Sequence, residues 1–436
     1  MVRDWNDRKS GGPDPGDAFE RRHPRPAWAE VDAAALRHNA ATLASLVAPS
    51  SLCAVVKADG YGHGAKAVAA AATAGGAVGV AVALVEEGVR LRDAQFSDPV
   101  LLLSEPPPGS EPEVVELGLE PTVCSVGAAQ RLLDAARALG RRVPVHVKVD
   151  TGMHRQGARP EEVAAVCELV SAGSPSLVAA GLWTHLAVAD GASPDDRAFT
   201  AEQLRRFEDV RRRLSQRGLE PRMSHVANSA GAIAVPSARY EMVRCGLALY
   251  GYPPSEWVRE ALERQAPGAA LRPVLSLKAR VSAVRELAAG ERPSYGRLRP
   301  LPTRSLVATV PLGYADGVAR ALFTGGAEVL IGGRRRPLAG MVTMDQILVD
   351  CGEDARVSLG DEVVLIGRQG AEEITADEWA ARTGTISYEV LTAIGPRVPR
   401  RVVGAELEDE PEEASPDEAA GTRQRIGRWM QEARLR

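Results

Sequence analysis

No two of the five cysteines, Cys53, Cys124, Cys167, Cys245 and Cys351, are spaced as a CxxC pair. Neither a zinc site nor a disulfide framework is therefore indicated, and a reducing cytosol suits the chain best. No apolar run is long enough to span a membrane. An excess of basic charge is missing as well. The 53 Lys and Arg face 57 Asp and Glu, a net charge of -4, which makes no electrostatic case for nucleic acid. The expected partners are small molecules or other protein chains. Residues 1–26 lack the apolar core of a signal peptide and are rich in Gly, Pro, Arg and Asp, as a disordered leader or a mispredicted start would be. No Gly-x-Gly-x-x-Gly follows the first expected strand, which disfavours a doubly wound dinucleotide fold. No repeat of solenoid period is present.

What is present is a globular composition, 45% hydrophobic over 436 residues, enough for two domains. From Trp28 to Tyr250, short β-rich runs alternate with longer alanine and leucine helices. Strands are expected at 28–31, 53–57, 78–83, 100–103, 122–124, 143–149, 178–186 and 223–227, with a short run at 242–243. Eight or nine such units predict a (β/α)8 TIM-like barrel over residues 27–255. Helices are expected over 33–46 behind Asp32 and over 127–139 behind Ser125, each a good N-cap. Beyond the Tyr252-Pro253-Pro254 segment the texture changes to short Val, Leu and Ile strands between Gly, Pro and Asp turns. Residues 256–404 therefore read as a mostly β domain, and 405–436 as a charged, solvated tail.

The stretch from Ala54 to Gly64, AVVKADGYGHG, delivers one lysine, Lys57, to a strand end before a glycine-rich loop. Most such lysines are solvated surface charges. A desolvated one is a reactive amine able to bond a carbonyl compound such as pyridoxal phosphate. In a parallel barrel the site lies at the C-terminal ends of the strands, which raises the interest of polar groups there. Lys148-Val149-Asp150 runs into a polar loop in which Arg155 could bind an oxyanion, with Lys148 or Asp150 holding it; a salt bridge closing the barrel is the ordinary alternative. His185 ends another strand, where a satisfied core histidine is the commoner role. Ser229 follows Asn228 at a helix start, equally an N-cap or a phosphate seat. Arg244, among small and apolar residues, needs a fixed acceptor partner. Gly246 beside it lets a ligand approach the backbone. Together these groups fit a phosphorylated aldehyde. In the β domain, Tyr295, Tyr314 and Tyr388, three of seven tyrosines, stand beside turns or polar residues. Each packs with one hydrogen bond or acts as an acid or base.

Assembled, these motifs resemble the alanine racemase family of fold-type III pyridoxal-phosphate enzymes, from about Trp28 to Val403 and in family order. The resemblance implies a homodimer in the cytoplasm interconverting L- and D-alanine for peptidoglycan with pyridoxal 5'-phosphate and no metal. Lys57 would bond the cofactor and be the base on one face, and Tyr295 of the other subunit the base on the opposite face. Tyr61, Ser229 and Tyr388 would hold the phosphate, with backbone N–H groups near Gly246 and Leu247. Arg244 would face the ring nitrogen, supported by His185, and Arg155 would hold the phenolate oxygen. Lys148 matches a lysine carbamylated in some members. Met344 would take the substrate carboxylate through its N–H, alongside Arg155. Asp190, Tyr314, Arg320, Met341 and Ile386 match the substrate corridor.

Some positions depart from the family pattern. Met341 stands where an arginine is usual, which removes one charge from the corridor, and His154 stands where glycine is common. A racemase of broader or different preference, serine for example, is the alternative this leaves. A decarboxylase of the same class is disfavoured by the Ser294-Tyr295-Gly296 tyrosine and by Arg244, and a carrier without catalysis is disfavoured by the β domain.

Overall fold

The computed structural model describes residues 25–353 and 356–404; the expected leader, apart from its last two residues, and the charged tail lie outside them. Strand β1 (Ala27–Asp32) is followed by eight strands, β2 (Ser51–Val55), β3 (Ala77–Val82), β4 (Val100–Leu102), β5 (Thr122–Val123), β6 (Val143–Lys148), β7 (Leu177–Trp183), β8 (Met223–His225) and β9 (Met242–Cys245). β2 to β9 form two parallel four-stranded arcs. One seam is closed where Leu102 and Glu120 exchange backbone hydrogen bonds with Glu120 and Val100, and the other where the Arg244 N–H donates to the Ala227 carbonyl. The result is a (β/α)8 barrel. Its strands are buried along nearly their whole length, which is why most read as apolar runs without alternation.

The predicted N-caps both form. Asp32 accepts from the Ala35 N–H at 2.9 Å and opens the helix Ala33–Val47. Ser125 accepts from Ala128 at 3.2 Å and opens Val126–Ala138.

The first expected barrel strand belongs elsewhere. β1 pairs antiparallel with Leu275–Arg280 and parallel with Arg400–Val403, inside the sheet of the β domain. Its alternation, Ala29-Glu30-Val31-Asp32, suits a sheet covered on one face and not a strand inside a barrel. The chain thus begins in the second domain's sheet, runs through the barrel and returns. That sheet continues through Glu362–Gln369, Glu328–Ile331 and Arg334–Pro337, while Ala283–Leu287, Ser305–Val310 and Ile347–Asp350 make a smaller one.

Arg25, inside the expected disordered leader, is anchored. Its guanidinium donates to both Asp316 oxygens at 2.8 Å and to the carbonyls of Arg397 (2.7 Å) and Pro311 (3.1 Å). Asp316 is fully buried, and although the Gly313 N–H (3.0 Å) and Arg397 (3.3 Å) also reach it, losing Arg25 removes its two-pronged partner from a carboxylate that folding has already desolvated. Arg25→Ala should lower stability by about 1–3 kcal/mol, read as a fall in melting temperature, whereas Arg25→Lys should recover part of it.

Candidate active site

Lys57 lies two residues beyond β2, at the start of a turn in which Ala58, Asp59, Gly60 and Tyr61 all hold left-handed backbone angles, φ 51 to 63°. For L-residues this costs about 1–2 kcal/mol each, so the turn must be held from outside. Glu87 accepts from the Ala58 N–H at 2.5 Å and from Ala83 and Leu84 at 2.8 and 3.1 Å. Asp59 accepts from Ala65 at 2.8 Å and closes the far end of the loop. At Gly62 a side chain would strike the Leu391 carbonyl at 2.5 Å, so glycine lets the helix Ser387–Thr392 press against the loop. That contact brings Tyr388 of the β domain to the barrel mouth, its ring 6.0 Å from that of Tyr61.

Lys57 opens into a cavity of about 440 Å³ lined also by Tyr61, Lys148, Arg155, His185, Ser229, Arg244, Gly246, Leu247 and Tyr388. Ten residues expected from different parts of the chain are thus gathered here. Four of the lining side chains are cationic and none is a carboxylate. Burial, reinforced by Arg155 and opposed by Glu87, holds Lys57 below the usual lysine range. Lys148 is brought down to about 8, chiefly by burial, and its amine sits 4.3 Å from the Trp183 ring. His185 is kept neutral by burial and by Arg244. A cavity of this size and sign is built for a small, multiply anionic ligand.

One end of the cavity is a seat of hydroxyls and backbone N–H groups. Ser229 Oγ accepts from the N–H of Gly246 at 2.8 Å, and a Cβ on Gly246 would meet the Tyr61 hydroxyl at 2.4 Å. Burial pushes Tyr61 up and Tyr388 up to about 12, so both stay protonated donors.

At the other end lies Arg244, fully desolvated and lowered to about 10 by burial, hence still charged at neutral pH. One terminal nitrogen donates to His225 Nδ1 (2.9 Å) and to the His225 carbonyl (2.6 Å). The other donates to the carbonyls of Thr184 (2.9 Å) and Val226 (3.1 Å). These four acceptors use all four terminal N–H bonds and leave Nε–H for the cavity. The imidazole bonded to Arg244 is that of His225, not the expected His185, which instead lines the cavity wall. His225 lies inside an expected strand, and its sequence context carries no signal for the role. Asp150 is likewise not a holder of Arg155. It accepts from His154 Nδ1 at 3.0 Å, and His154, at φ 52°, occupies the left-handed position that glycine would fill without strain.

Tyr295, Tyr314, Arg320, Met341 and Met344 do not line this cavity. Tyr295 is 74% exposed and Met344 52%. Ile386 lines an adjoining recess with Lys57 and Tyr388, and Asp190 lies close enough to raise Tyr388.

A barrel whose strand ends gather a desolvated lysine, an anion seat and a buried arginine, capped by a β domain that adds a tyrosine, defines the two-domain class of lysine-centred cofactor enzymes. Family models described as "Alanine racemase, N-terminal domain" and "Alanine racemase, C-terminal domain" match residues 31–254 and 274–402. The chain belongs to the alanine racemase family. It is 45% identical over 380 residues to an alanine racemase of Symbiobacterium thermophilum, covering 86% of this chain and 97% of that one. To one from Desulfovibrio desulfuricans it is 42% identical, covering 86% and 98%. Among solved structures, alanine racemase from Streptomyces coelicolor A3(2) superposes with a TM-score of 0.79 at 38% identity, covering 86% and 98%. A histidine racemase from Leuconostoc mesenteroides superposes at 0.77 with 27% identity, covering 87% and 99%, so more than one substrate is served by this architecture.

Because a Cβ at 246 would fall 2.4 Å from the Tyr61 hydroxyl, Gly246→Ala should overpack this seat and lower stability by about 1–3 kcal/mol, read as a fall in melting temperature.

Proposed function

We propose that this protein is an alanine racemase, an isomerase that interconverts L- and D-alanine and supplies D-alanine for peptidoglycan in the cytoplasm. The observation that carries the reading is the half-buried Lys57 amine among three further cations with no lining carboxylate. The residues fit pyridoxal 5'-phosphate. Tyr61, Ser229, Tyr388 and the N–H groups of Gly246 and Leu247 would hold its phosphate, Arg155 its phenolate oxygen, and Arg244 its ring nitrogen. When bound through Lys57, the cofactor supplies the electron-withdrawing conjugation that acidifies the substrate Cα–H.

The chain's own groups then do the proton work. Racemisation needs one base on each face, because a proton taken from one side must be returned to the other. Lys57, held below the usual lysine range, is the base on the D face. Tyr295 is the base on the L face. It stands exposed outside its own chain's cavity, which supports a homodimer in which each site takes Tyr295 and the Met344 N–H from the second copy. Arg244 can donate its remaining N–H without surrendering a proton, so a ring nitrogen held there would stay largely unprotonated. Lys148, lowered to about 8, has a substantial neutral fraction at physiological pH. Its nitrogen can add to CO2 with loss of one proton, and the carbamate so formed would brace Arg155. The bulk of Tyr295 and Tyr388 favours a methyl side chain, and the scattered free cysteines support a reducing compartment. Among the described residues no helix is long and apolar enough to cross a membrane.

Incubation with each L-amino acid in deuterated water tests the reading. Deuterium should appear in D-alanine and not in D-serine or D-lysine; comparable labelling of the others would replace alanine with a broader substrate class. Tyr295→Phe should slow exchange from L-alanine far more than from D-alanine. Co-expressing Lys57→Ala with Tyr295→Phe chains should restore about a quarter of wild-type activity, since a mixed two-fold dimer contains one intact site; no restoration would place both bases in one chain.

A further inference from the structure

The acceptor that holds Arg244 is the first member of a buried chain. His225 Nε2 lies 2.9 Å from His146 Nδ1, and His146 Nε2 lies 3.2 Å from Glu120 Oε2. Both imidazoles are fully buried and Glu120 is 1% exposed. The four side chains come from four places on the barrel wall, a position two residues before β5, β6, β8 and β9. β7 runs between His146 and His225, and only glycine there leaves them room. A Cβ on Gly181 would fall 2.3 Å from His146 Nδ1 and 2.9 Å from His225 Nε2. Trp183 of the same strand stacks on His225 at 5.5 Å and 13°, which fixes the ring plane.

The proton positions are set from both ends of the chain, by a guanidinium that can only donate and by a carboxyl oxygen of Glu120 that accepts. His225 Nδ1 faces Arg244 and must accept, so the neutral ring carries its proton on Nε2. That proton points at His146 Nδ1, which must also accept, and His146 therefore carries its proton on Nε2. The end of the chain needs an acceptor, and Glu120 Oε2 is the one present. A proton on His146 Nδ1 would force His225 to present N–H to an arginine N–H. Burial, with Arg244 and His146 adding to it, keeps His225 neutral, in agreement with this order. Glu120 Oε1 has no hydrogen-bond partner, so the carboxyl is spent on this one contact.

We propose that Glu120 is a positioning residue for Arg244, acting through His146 and His225, whose tautomers it fixes so that the arginine's Nε–H is aimed into the cavity. The consequence for catalysis rests on the reading of Arg244 as the partner of the cofactor's ring nitrogen; the tautomer order does not. Second partners of this kind orient a functional group by fixing which ring nitrogen is free.

Histidine-selective ¹⁵N spectra of the cofactor-free and cofactor-loaded protein test the proposal. Wild type should show both buried histidines as neutral Nε2–H tautomers, with or without cofactor. Glu120→Gln keeps a carbonyl acceptor and should preserve that pattern and most of kcat. Glu120→Met removes the acceptor; it should mix the tautomers of both rings, shift the absorbance of the bound cofactor, and lower kcat about tenfold, the lower range for a lost supporting partner, with KM for alanine little changed. An Nδ1–H on either ring in wild type, a Met variant with wild-type tautomers, or a Gln variant as disordered as Met would each overturn it. The wild-type and Gln spectra decide the matter should the Met variant not fold. Wild-type protein with the expected tautomers but no alanine exchange would defeat the proposed function and leave the relay standing.

Discussion

A charged guanidinium almost wholly withdrawn from water is the constraint around which this barrel is arranged. Burying an uncompensated ion costs far more than folding can spare. Arg244 survives because every terminal N–H meets an acceptor within 3.1 Å, three of them backbone carbonyls that barrel strands cannot use among themselves at their ends. The requirement propagates outward. An imidazole that accepts at Nδ1 must donate from Nε2, so His225 needs an acceptor, which calls for His146, and the crossing needs Gly181. Trp183 then serves three charges or rings at once, with Lys148 and Arg244 over its face and His225 stacked on it. A single substitution in this set would be felt at several others.

The same low dielectric that makes Arg244 costly makes the cavity's cations repel one another. Arg155 and Arg244 each disfavour protonation of Lys148, and Arg155 does the same at Lys57, with burial as the larger cause in both. An empty site of this composition is electrostatically frustrated, and an anion relieves it. Under the proposed function, a phosphorylated ligand would bind with a gain that comes partly from the protein's own repulsion, and the same field would leave the lysine amine nucleophilic.

Much of this was legible in the chain. The barrel, its N-caps and the cluster of Lys57, Arg155, His185, Ser229 and Arg244 follow from strand-end position and from the rarity of polar residues among apolar ones. What escaped did so for physical reasons. β1 has the length and composition of a barrel strand, and only its alternation hints at a sheet covered on one face. Arg25 looks like leader because its partner, Asp316, is 291 residues away. His146 and His225 sit within strands and Glu120 just before one, where side-chain direction and not local context decides what meets what, so nothing in the linear text separates them from core residues. Glu87 is a helix residue like any other until its carboxylate is seen to hold the Lys57 turn.

The departure at Met341 is clearer in three dimensions. Ser294, at φ 70° and ψ -177°, holds a backbone conformation normally reserved for glycine, and such strain persists only where neighbours impose it. Its hydroxyl donates to the Met341 carbonyl at 2.6 Å, and Gly340 leaves no room for a Cβ against Pro293 and Ser294. The loop presenting Tyr295 is thus held by the backbone of residue 341 and by the glycine before it. The hydrogen bond taken at 341 is to the backbone, while the Met341 side chain packs against the main core. Under the proposed function, a change of charge at 341 would therefore alter the approach to the site while the backbone contact that holds the Tyr295 loop persists.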